Sequence, residues 1–121
     1  MDTFAVLSYR EVSASASQNA EFATDYIPME PFSLCSFDIY VSGQAALNAT
    51  ATMQVCNGDP TVAANWVNIC CVRFTTATVA LGADGTYIIQ ASGVATRFAR
   101  VNVTFAAGAA TIAISAFAKR L

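Results

Sequence analysis

Apolar and polar residues alternate with a period of two over most of this chain, and no segment carries the 3.6-residue repeat of a packed helix. Ser33, Cys35, Phe37, Ile39 and Val41 alternate with Leu34, Ser36, Asp38 and Tyr40. Ala49, Ala51, Met53 and Val55 do the same against Thr50, Thr52, Gln54 and Cys56, and Val67, Ile69 and Cys71 continue after Trp66. Ala99, Val101, Val103 and Phe105 face away from Arg100, Asn102 and Thr104, and Ile112, Ile114 and Ala116 away from Thr111, Ala113 and Ser115. Each run describes a strand with one buried face. Further strands are expected at Phe4–Val12, near Glu21–Ile27, and at Thr75–Leu81 and Tyr87–Ala91.

Turn chemistry falls between the runs. Ser42-Gly43, Asn57-Gly58-Asp59-Pro60, Gly82-Ala83-Asp84-Gly85, Ser92-Gly93 and Ala107-Gly108 all contain residues that accept the positive φ of tight hairpins. Seven or eight short strands so punctuated predict an all-β fold, a single antiparallel β-sandwich with a jelly-roll-like path over residues 1–121. Its predicted core holds Phe37, Ile39, Met53, Val55, Trp66, Val101, Val103, Ile112 and Ile114. The small-residue stretch Ser13–Ala20 makes residues 1–20 either an N-terminal arm or an edge strand.

Composition narrows the function classes. Charged residues are 12% of the 121, about half the usual share, and the net charge is −2. Six scattered Lys and Arg cannot form the basic face that nucleic-acid binding requires. No run of about 18 apolar residues suggests membrane insertion, and the first residues lack the pattern of a secretory signal. Cys35, Cys56, Cys70 and Cys71 contain no C-x-x-C pair, so they read as small reduced thiols.

Candidate chemistry is sparse. The chain has no His, which removes the commonest general base and the usual nucleophile–base arrangements. The eight acids (Asp2, Glu11, Glu21, Asp25, Glu30, Asp38, Asp59 and Asp84) are scattered, so no catalytic residue, metal ligand or cofactor is assigned, and the chain is read as non-enzymatic. Asn57-Gly58-Asp59 and Ala83-Asp84-Gly85 could offer oxygens to Ca²⁺ but suffice as turns. Trp66 is either core or a stacking platform for a sugar. Arg97 and Arg100 fall on opposite faces of one strand, which separates them, and Arg100 suits an acid across an interface.

Two segments carry a resemblance. Gln54-Val55-Cys56-Asn57-Gly58-Asp59 followed by Asn65-Trp66-Val67-Asn68-Ile69, and the later strand Arg97–Thr104, are similar to motifs of small β-sandwich virion structural proteins of bacteriophages. Gly108, Thr111, Ile112 and Lys119 extend the likeness toward the C-terminus, whereas Pro60–Ala64 is an insertion and Cys56 replaces a serine. The resemblance implies a capsid decoration or cement subunit in the virion, made in the host cytoplasm. Its partners would be further copies of itself and the major capsid or other virion proteins. A head-spike, fibre or tail-associated module recognising host surface glycans is the alternative. A surface so poor in charge fits either, because uncharged sheet edges invite pairing with neighbours.

Overall fold

The computed structural model describes residues 4–5, 21–30, 32–69, 73–76, 78–92, 94 and 96–119. It is all-β, with antiparallel pairing throughout, and the only helical turn among the described residues is the 3₁₀ turn Ala63–Asn65. The strands are β1 (Phe4–Ala5), β2 (Phe22–Ala23), β3 (Ile27–Pro28), β4 (Leu34–Cys56), β5 (Val67–Asn68), β6 (Arg73–Thr76), β7 (Thr78–Leu81), β8 (Gly85–Ser92) and β9 (Phe98–Lys119).

Two long strands organise everything else. β4 and β9 pair from Leu34↔Lys119 to Cys56↔Phe98, with register shifts between Ser42 and Ala49. Ser42-Gly43 and Ala107-Gly108 therefore do not end strands, as the turn chemistry suggests. They sit side by side at one shared corner, where Gly43, Ala46 and Gly108 have φ of 62°, 51° and 77°. A pair of strands that bends at irregular positions can pass from one sheet layer into another. Gly108 is irreplaceable there, since a Cβ would lie 2.2 Å from the Ala46 carbonyl oxygen.

The corner divides the sheet into two halves. In the first, β4 residues 34–41 pair with β8, and β6 pairs with β8 beyond it, while β1 borders the end of β9. In the second, β4 residues 49–56 pair with β7 and β5, while β2 and β3 border the start of β9. The expected single strand Thr75–Leu81 is thus split, β6 serving the first half and β7 the second. Gly82–Asp84 joins β7 to β8 across the corner and makes no hairpin, and the turn expected at Ser92-Gly93 lies partly outside the described residues. The turn at Asn57–Pro60 does make one, joining β4 to β5.

The inner faces of the halves meet in one apolar cluster that includes Phe37, Ile39, Met53, Val55, Val101, Val103, Ile112 and Ile114. The Cys35 thiol reaches across to the Met53 sulfur at 3.6 Å, a contact between the first half and the second. Burial pushes the Cys35 thiol up to about 12, so it stays neutral and unreactive in the fold. Of the arm-or-edge segment 1–20, only Phe4–Ala5 is described, as an edge strand; Ser13–Ala20 and Cys70–Cys71 lie outside the described residues.

Candidate interaction site

Alternation that buries Ala49, Ala51, Met53 and Val55 turns Thr50, Thr52, Gln54 and Cys56 to the outer face of the second half. The β4–β9 register sets Gln54 opposite Arg100 and Cys56 opposite Phe98 on that face. Arg100 Nε donates to Gln54 Oε1 at 2.9 Å, and Gln54 Nε2 donates to Asn68 Oδ1 of β5 at 3.3 Å. The Arg100 guanidinium lies 4.3 Å from the centre of the Trp66 ring, a cation–π contact. Burial lowers the Arg100 pKa, and the nearby Cys56 and Glu21 oppose that shift; arginine stays charged regardless.

Trp66 is only 7% exposed, yet it lies outside the main apolar cluster. It covers the outer face, packed beside Tyr26 at 6.3 Å between ring centres. Its ring N–H donates to the Pro60 carbonyl at 3.0 Å. The loop that contains Pro60–Ala64 makes that possible. Thr61 donates both its backbone N–H and its hydroxyl to Asp59 Oδ1, and Asn65 Nδ2 donates to the Asp59 carbonyl, which locks the loop over the sheet. The Thr61 bonds also hold the Asp59 carboxyl below its ordinary pKa.

Tyr26, between β2 and β3, meets Phe98 edge-on at 5.3 Å, and the Arg97 guanidinium lies 5.4 Å from the centre of the Phe98 ring. Strand alternation separates Arg97 from Arg100, but Arg97 precedes β9 and folds back over Phe98. Both cations consequently flank one aromatic cluster of Tyr26, Trp66 and Phe98. Among the described residues, no carboxylate comes within ion-pair distance of either guanidinium. Glu21, the nearest acid to Arg100 in electrostatic effect, is engaged by Asn102 Nδ2 at 2.7 Å. Arg100 and Trp66 were visible in the sequence as candidates. Tyr26, Gln54, Asn68 and Phe98 were not, although reading the two polar faces of the 49–56 and 98–104 runs against each other would have paired Gln54 with Arg100.

The oxygen-rich turns serve the fold. Asp84 Oδ1 accepts from the Gln44 backbone N–H at 3.1 Å across the corner, as Asp59 does within its own loop. Among the described residues, no three His, Cys, Asp or Glu gather as a metal site, and no helix is long and apolar enough to cross a membrane. The arrangement brings cations, rings and amides together, with the buried Cys56 thiol near Arg100. The protein is all-β.

No protein-family model matches the chain, and no curated protein does. Solved structures do. PirA is similar over 92% of this chain and 92% of its own, with a TM-score of 0.54 and 19% identity. A subunit of the Bacillus endospore appendages, described as a novel family of disulfide-linked pili, is similar over 98% of this chain and 84% of its own. Its TM-score is 0.50 and its identity 12%. Identities this low speak for the fold alone.

These neighbours overturn the resemblance to bacteriophage virion proteins. With it fall the decoration or cement role, the head-spike, fibre or tail-associated glycan module, the capsid partners and the virion location. The motifs misled for a physical reason. Cross-strand polar pairs such as Gln54 with Asn68 recur in antiparallel hairpins whatever their lineage.

Proposed function

We propose that this chain is a structural subunit of a proteinaceous surface fibre, whose body is one jelly-roll-like sandwich spanning residues 1–121 with the first twenty as arm or edge. The observation that carries this reading is the character of β8. Its eight residues, Gly85–Ser92, include no charge and no proline, and over Gly85–Ile89 no described strand pairs with its outer side. Soluble monomers protect such edges with Lys, Pro or bulges, and an unguarded edge is a template for a neighbouring strand. The low overall charge and the likeness to a Bacillus endospore pilus subunit support the same reading.

The test is sedimentation velocity over a hundredfold range of concentration, with negative-stain microscopy of the concentrated sample. Growth into filaments of uniform width is the expected result. A monomer at every concentration would refute the proposal.

A further inference from the structure

The outer faces of the two halves carry charged groups that could complement each other. On the first half, Asp38 stands directly across from Ile88, with Tyr40 two residues along the same face. Tyr40 and Ile88 are 45% and 52% exposed, and Asp38 makes no hydrogen bond or ion pair with a described residue. On the second half, Arg97 and Arg100 border the aromatic cluster, and Tyr26 leaves 41% of its surface open. One face presents a carboxylate with no partner among the described residues, beside exposed Tyr40 and Ile88. The other presents two guanidiniums among rings, Arg100 bonded to the Gln54 amide and Arg97 to the Asn57 carbonyl, with no carboxylate partner among the described residues.

We propose that these are the two sides of one contact between copies of this chain, the Asp38–Tyr40–Ile88 face of one seating on the Arg100–Tyr26–Trp66 face of the next. The inference rests on the fibre reading and names a surface for it. A carboxylate meeting a guanidinium that is already partly desolvated forms a strong charge-assisted bond, and the apolar borders exclude water around it. The contact is heterologous. The inner faces of the halves pack against each other, so the outer faces point in opposite directions and each added copy leaves one of each unused. Such a contact propagates as an open array and does not close as a dimer.

The full-length chain tests this with Asp38→Ala and Arg100→Ala, checked for folding by circular dichroism, and with Asp38→Asn and Arg100→Gln as variants that keep side-chain shape. Each single substitution is expected to raise the concentration needed for filament growth at least tenfold. An equimolar mixture of the two alanine variants is expected to stop at two-chain species, because together they hold one intact contact. The reversed pair, Asp38→Arg with Arg100→Asp in one chain, is expected to restore growth. Emission of Trp66, the sole tryptophan, reports docking directly. Filaments that grow equally well with either charge removed overturn the face-to-face contact and leave the fibre reading standing. A wild-type chain that stays monomeric overturns both.

Discussion

The two halves of the sheet share β4, β9 and a common core, yet parts of their outer faces are covered to different degrees. On the second half a hairpin loop fastened by Asp59 lays Trp66 over the sheet and against Arg100, and Cys56 and Asn102 on the same outer face are buried. On the first half Tyr40 and Ile88 stand in solvent. The difference comes from connectivity. The long loop between β4 and β5 folds back over its own sheet, whereas β8 enters from the corner with only Gly82–Asp84 before it. A covered surface contributes to stability, and the exposed patch of Tyr40 and Ile88, beside the buried Ser36, is available for contact.

Substitutions can sharpen or break this contrast. The largest effect is expected at the corner both halves depend on. Gly108→Ala combines a positive φ with overlap on the Ala46 carbonyl and should cost about 3 kcal/mol or more, read as a fall in the urea midpoint. Met53→Ala, on the inner face, should cost about 2–5 kcal/mol by the same measurement. Removal of the Arg100 guanidinium from Trp66 should cost about 0.5–2 kcal/mol and shift the Trp66 emission. If Arg100→Ala proved as damaging as Met53→Ala, the division between core and cover would be wrong. On the exposed patch, Ile88→Thr should change stability by no more than about 0.5 kcal/mol.

Alkaline pH probes the interface between the halves. The Cys35 thiol is raised from 9.0 to about 12, so the folded state holds its proton more tightly than the unfolded state. The stability this contributes is present below pH 9 and is lost as the pH climbs toward 12. Denaturation midpoints of the wild type should fall over that window more steeply than those of Cys35→Ala. Equal slopes would place the thiol somewhere less buried than the Met53 contact implies.

Much of this was legible beforehand because alternation is a local property. The inward residues of the 35–41, 49–55, 99–103 and 112–114 runs are buried, as a period of two requires. Connectivity was less legible. Glycine supplies a positive φ equally well at a hairpin and at a bend inside a continuous strand, so Gly43 and Gly108 look like chain reversals until their neighbours are known. Trp66 shows the other limit. A large ring next to an apolar run is buried either inside the sandwich or over it, and only the Asp59–Pro60 loop decides between them. The Arg97–Phe98 contact arises where the chain enters β9, and alternation has no hold there.

The uninterrupted course of β4 and β9 through both halves has a mechanical corollary. Both halves are built on the same two long strands, so a chain cut at the bend leaves two fragments, each short of its central pair's other half. Load applied near Leu34 and Cys56 would be borne in shear by a ladder running nearly the whole length of β4, a geometry that yields all at once and not rung by rung. Such a body stretches little before it fails.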